Sequence, residues 1–241
     1  MTTSERDRHG QEIGHEHRDV SGGWLRPAVF GAMDGLVTNV SLIAGVGGGG
    51  GSQHAIVLTG LAGLAAGAFS MAAGEWVSVT SQNELVHSEV DKERHELDTN
   101  AVSEQAELVG MLRQSGMSAE TAKRAAAEIS AHPDKALTVH AMQELGVDPG
   151  DLPSPYVAAG ASLASFAMGA IVPLLPFALG FNALGVALGL SALAAIVGGG
   201  LVARLTNRPF WKGALRQLLL GAVAAGLTYL IGMAVGGTVA G

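Results

Sequence analysis

The side chains best suited to chemistry in this sequence are carboxylates in two unlike settings. Asp34 lies in an otherwise uncharged apolar stretch, with Ala32 and Met33 before it and Gly35, Leu36 and Val37 after it. A charged group at the centre of a membrane helix costs about 2.5–3.5 kcal/mol on insertion scales, so it is kept where it meets a partner, a cation or a water-filled path. Thr38, Asn39 and Ser41 continue polar groups onward from it, and Met71 and Glu75, one helical turn apart, add a thioether and a second carboxylate. The other setting is strongly polar. Glu93 and Glu96 form an i, i+3 pair that Glu104 and Glu107 repeat eleven residues later, which is three helical turns. On one continuous helix all four share a face; if the chain folds back near Asn100, the two pairs face each other across a hairpin. Clustered like charges repel, and a divalent cation relieves that repulsion. A merely solvated acidic helix is the competing reading. Glu144, with His140 one turn before it and Met142 nearby, offers ligands from a further helix.

The chain has no cysteine, which leaves carboxylate, imidazole and thioether as metal ligands. Imidazole and thioether move the preference from Mg²⁺ and Ca²⁺ toward Fe²⁺, Mn²⁺ or Zn²⁺. His9, His15 and His17 stand in a polar N-terminal tail, residues 1–23, that suggests no particular site.

The elements that must hold these groups follow from where charge is missing. Only 15% of the 241 residues are charged and 35 are glycine. No Asp, Glu, Lys or Arg occurs in the 40 residues from Gly35 to Gly74, the 52 from Leu152 to Ala203 or the 25 from Gln217 to Gly241. A helix needs about 20 apolar residues to cross the hydrocarbon, so these stretches predict five transmembrane helices, at about 27–48, 54–79, 155–179, 183–203 and 213–237. The runs are continuously apolar and rich in Ala, Leu and Gly, with no two-residue alternation, which argues against a membrane β-barrel. On this placement Asp34 and Met71 each lie eight residues inside their spans, roughly 12 Å deep from the same face. One cation could touch both.

All fourteen Lys and Arg residues fall on one side of such a bundle, which predicts a cytosolic N-terminus and a C-terminus across the membrane. Residues 80–153 are a distinct cytosolic module, with fourteen acidic and six basic residues. Its expected helices are 80–97, 101–115, 118–131 and 133–145. Ser118 is an N-cap, Gly116 a helix end and Pro133 a first-turn residue. Neither glycine nor proline separates Glu75 from Gly110, so the second span can run on as a stalk and break at Asp98, Thr99 and Asn100. The expected class is an all-α membrane protein: residues 24–79 hold spans one and two, residues 80–153 the inserted helical module, and residues 154–241 spans three to five.

Three segments carry a resemblance. Met33 to Asn39 (MDGLVTN), Ser70 to Ser78 (SMAAGEWVS) and the Pro173 to Pro176 step (PLLP) resemble the vacuolar iron transporter family in its bacterial form, and the likeness covers about residues 24–240. It implies a homodimer in the bacterial plasma (inner) membrane that exchanges cytosolic Fe²⁺ for protons along a path between the first two spans of both subunits. Mn²⁺ and Zn²⁺ are the other ions considered, no permanent cofactor is expected, and the partners are lipid, metal ions and protons, with no nucleic acid. The family's transport aspartate and methionine match Asp34 and Met71, and the glutamates of its metal-binding module match Glu93, Glu96, Glu104, Glu107 and Glu144. The chain departs from the pattern in two places. His140 and Ala141 stand where some members carry methionines, with Met142 adjacent. Gly63 stands where some carry a second-span glutamate, leaving Glu75 to take over part of that role. Two other function classes compete with the carrier. A membrane-bound carboxylate ferroxidase would need paired Glu-x-x-His motifs, and Glu84 with His87 is the only such spacing in the module's glutamate cluster. A metal-sensing receptor without transport would have no use for a buried Asp34.

Overall fold

A computed structural model describes residues 23–181 and 183–239. It is helical throughout: α1 (Leu25–Gly48), α2 (Gln53–Thr99), α3 (Ala101–Gln114), α4 (Ala119–Ser130), α5 (Pro133–Glu144), α6 (Pro155–Ala178), α7 (Leu184–Leu205) and α8 (Phe210–Val239). Five of these, α1, α2, α6, α7 and α8, are long and apolar enough to cross a membrane. The protein is an all-α membrane protein with a helical insert between its second and third spans.

Glycine sets how the spans meet. In lipid, helices gain little from apolar burial and associate through close backbone packing and hydrogen bonds, so small residues mark the crossings. On α1, Gly31 and Gly35 are one turn apart and both press on α6: a Cβ on Gly35 would lie 2.2 Å from the Phe166 carbonyl oxygen, and one on Gly169 would lie 2.1 Å from that of Ala32. At its other end α1 meets α8, where a Cβ on Gly232 would reach the Gly45 carbonyl oxygen at 1.9 Å. Near the basic end of the bundle α7 and α8 cross at Gly199 and Gly213. Helix α1 is therefore the hub, and α6 packs closely against both α1 and α2. Ile43, Ile56, Leu174, Phe177 and Ala187 form the core where α1, α2, α6 and α7 converge.

Pro173 lies inside α6 and has no N–H to give to the Gly169 carbonyl, which opens that turn of the helix. Opened carbonyls in a membrane helix need donors from neighbours. Here the Asn39 side-chain amide, fully buried, donates to the adjacent Ala170 carbonyl. One residue after Pro176, the chain is tied again where Gln53 Nε2 donates to the Phe177 carbonyl at 3.0 Å.

Helix α2 runs unbroken for 47 residues, so the segment expected at 80–97 is its continuation. It stops at Asn100, whose N–H bonds back to the Glu96 carbonyl at 2.7 Å, and α3 folds back from there. Gly116 takes φ +98° after α3, a left-handed conformation that suits glycine, and Ser118 Oγ accepts the Thr121 N–H at 3.2 Å to cap α4. Pro133 occupies the first turn of α5. Leu108, Leu112, Ala122 and Ala126 form the small core of the insert, with Val139 packed against it.

Candidate metal centre and membrane carboxylate

The break at Asn100 turns the repeated glutamate pairs toward each other, and only one residue of each pair goes inside. Glu93 on α2 and Glu104 on α3 are buried, whereas Glu96 and Glu107 stay exposed around them. Helix α5 supplies the third buried group, His140, which has no solvent exposure. Its Nδ1 lies 2.8 Å from Glu93 Oε1, 3.3 Å from Glu144 Oε1 and 3.9 Å from Glu104 Oε2. One atom from each of Glu93, Glu104 and His140 falls within a 4.8 Å cluster. Despite this closeness, Glu93 Oε1, Glu104 Oε2 and His140 Nε2 lack a well-directed hydrogen bond. Buried polar atoms are normally satisfied, so oxygen atoms left open toward a common point suit a cation.

Electrostatics agree with that arrangement. The Glu93 carboxyl is pushed up to about 7 from 4.5, first by burial and then by the charges of Glu144, Glu104, Glu96 and Glu107. Burial also raises Glu104, with Glu107 and Glu96 adding to it and His140 opposing. A divalent cation with borderline affinity for imidazole and carboxylate would supply the charge that these groups lack. The cluster opens through a hollow of about 130 Å³ lined by Glu89, Lys92, Glu93, Glu96, Ala141, Glu144 and Leu145. Glu89 was not among the sequence candidates, although it lies one turn before Glu93 and is ion-paired to Lys92 at 2.7 Å. Its i, i+4 spacing to Glu93 was the available signal.

Other candidates lie elsewhere. Met142 follows His140 by two residues, about 200° around the helix, and is exposed. Glu84 and His87 are exposed on α2 and do not belong to the cluster. The N-terminal histidines His9, His15 and His17 fall outside the described residues.

In the membrane half, Asp34 is half-buried on α1 and accepts a long hydrogen bond from Thr38 Oγ1 at 3.4 Å. It follows Gly31 by three residues and precedes Gly35, so its side chain leaves the helix beside the α1–α6 crossing. Met71 is half-buried on α2, packed against Ala68, Phe166 and Ala170. Glu75 is half-buried one turn further toward the insert. Asn39 holds α6 through its amide nitrogen, while its Oδ1 has no partner. That oxygen is directed at Gly63 of α2, where a Cβ would come within 3.1 Å of it.

Sequence comparison agrees with this architecture. The chain is 33% identical over 226 residues to a protein named vacuolar iron transporter from Acanthamoeba castellanii, covering 91% of this chain and 82% of that one. It is 35% identical over 216 residues to vacuolar iron transporter homolog 1 of Arabidopsis thaliana, covering 87% and 84%. Vacuolar iron transporter 2 of Oryza sativa subsp. japonica is 28% identical and covered over 91% of both chains. The family model described as the VIT family matches residues 25–233, which takes in the first four spans, the whole insert and most of the fifth span, and the chain belongs to that family.

Proposed function

We propose that the chain is a secondary transporter that carries Fe²⁺, with Mn²⁺ as a further substrate, out of the cytosol in exchange for protons. The observation that carries this reading is the convergence of Glu93, Glu104 and His140, all buried, in a chain whose relatives are named as iron transporters. In this scheme the acidic insert is cytosolic. Glu96, Glu107, Glu144 and Glu89 draw the cation in, and the buried trio replaces part of its hydration shell. The ion then meets Asp34, for which a proton and a metal ion compete, since a bound cation favours the ionised carboxylate. Release on a more acidic side leaves Asp34 protonated and neutral for the return. Met71 adds a polarisable ligand and Glu75 an acidic approach. Two copies would pair to form the path, as the family likeness implies.

The test is Fe²⁺ uptake by the purified chain in proteoliposomes, with and without a pH gradient. Accumulation against the metal gradient only when protons flow the other way is the expected result. Tight binding with no flux under any gradient would instead make the chain a receptor. Conversion of Fe²⁺ to Fe³⁺ would make it a ferroxidase.

A further inference from the structure

The corner joining α7 to α8 collects four cations, Arg204, Arg208, Lys212 and Arg216, while no aspartate or glutamate occurs from residue 152 to the C-terminus. All four are exposed, and none is ion-paired among the described residues. Two lean on aromatic rings: the Arg204 guanidinium lies 5.5 Å over Phe210, and Lys212 Nζ lies 5.6 Å over Trp211. The acidic insert does not answer these charges within the chain, because its helices pack on one another and on α2.

The direction in which the cations point is set by helix geometry. Lys212 and Arg216 are one turn apart, and the same stripe of α8 continues through Leu220, Val223, Leu227 and Ile231, all exposed. On α7, Leu193, Val197 and Leu201 form an exposed stripe that runs into Arg204, and Arg208 is exposed in the turn that follows the end of the helix. In a membrane protein such apolar stripes face hydrocarbon. The cations that end them therefore sit where hydrocarbon gives way to headgroups, with Trp211 at the level where aromatic side chains mark that boundary.

We propose that this corner is a binding site for the phosphate groups of anionic phospholipids. Arginine suits it, because its guanidinium fork matches two phosphate oxygens at once. Lys212, a compact charge resting on Trp211, adds attraction without that geometry. The site is independent of metal handling and rests only on the membrane placement of α7 and α8.

The experiment uses the full chain in mixed micelles containing phosphatidylglycerol and phosphatidylcholine, with retained lipid counted by native mass spectrometry. Phosphatidylglycerol should be retained in preference. The single variants Arg208→Gln and Lys212→Gln should each lower that preference about fivefold, the factor expected per basic residue at an anionic surface. Single substitutions leave thirteen cations to set orientation, and labelling of a Ser118→Cys background checks that orientation is kept. Arg208→Lys, which preserves charge but removes the fork, should fall between wild type and Arg208→Gln. Equal retention of both lipids, or unchanged preference in both Gln variants, would overturn the proposal. So would displacement of phosphatidylglycerol by inorganic phosphate at equal concentration, which would indicate a free-anion site. Thermal destabilisation of Arg208→Gln in pure phosphatidylcholine would also overturn it, because Arg208 has no side-chain partner within the described residues and the loss would point to the acidic insert of a second copy.

Discussion

Glu93 makes the metal-free protein sensitive to pH in a direction opposite to that of metal binding. Its carboxyl titrates near pH 7 when folded, against 4.5 in the unfolded chain. Between those values the folded state holds a proton that the unfolded state has lost, so stability falls as pH rises through this window. The full shift corresponds to about 3 kcal/mol, present below about pH 4.5 and gone above about pH 7. Metal binding must expel that proton, so apparent affinity should fall about 50-fold from pH 7 to pH 5, and more steeply if Glu104 also protonates. The assays are calorimetric Mn²⁺ titration of the full chain at several pH values, and hydrogen exchange of α3 and α5 in the metal-free chain after correction for intrinsic exchange. Glu93→Gln should lower affinity at pH 7 and flatten its pH dependence over this range. It should also abolish the acid-side gain in protection. A metal-free insert more protected at pH 7.5 than at pH 5, or a Glu93→Gln chain with the wild-type affinity slope, would refute this reasoning.

Asp34→Asn should abolish proton-driven Fe²⁺ accumulation in proteoliposomes while calorimetry still detects metal on the insert. Met71→Leu should reduce flux only partly and shift selectivity toward harder ions such as Mg²⁺, measured by competition. Gly35→Ala should destabilise the bundle by about 1–3 kcal/mol, read as a lower melting temperature in detergent, because the new methyl group meets a backbone oxygen that cannot step aside. Gly160→Ala, with nothing within 4 Å of its new carbon, should be neutral or stabilising by about 0.5–1 kcal/mol. With no native cysteine, Ser52→Cys should react with an impermeant reagent from outside intact cells and Ser118→Cys only after permeabilisation. The reverse pattern would invert the transport direction.

The spans could be read from the sequence because membrane insertion penalises charge, and the charge-free stretches of this chain match α1, the membrane part of α2, α6, α7 and α8. The insert was readable for a different reason: Asn100, Gly116, Ser118 and Pro133 are local signals that act through neighbouring backbone groups. Burial within the glutamate pairs was not readable. Eleven-residue spacing treats Glu93 with Glu104 and Glu96 with Glu107 alike, and only the angle at which α3 leaves Asn100 turns the first set inward. His140 and Met142 looked equally able to donate until helical phase separated them. The closeness of α6 to α1 was also hidden. With 35 glycines in the chain, nothing singles out Gly31, Gly35 and Gly169 as the ones that let two backbones touch.

The single helix that begins at Gln53 and ends at Thr99 also has a mechanical meaning. From Met71 in the membrane to Glu93 in the candidate metal cluster is 22 residues of uninterrupted helix, a rigid arm of about 33 Å. Tilting that arm by about 5° at its membrane end would carry Glu93 sideways by about 3 Å. The separations between His140 Nδ1 and the three carboxylates run from 2.8 to 3.9 Å, so any lag of α5, which residues 145–154 tether to α6, behind such a tilt would rebuild or dismantle the candidate metal cluster. On the proposed reading, grip on the ion and posture of the second span would be coupled through this lever, and a metal held by α2, α3 and α5 together would restrain how far α5 can lag behind a leaning span.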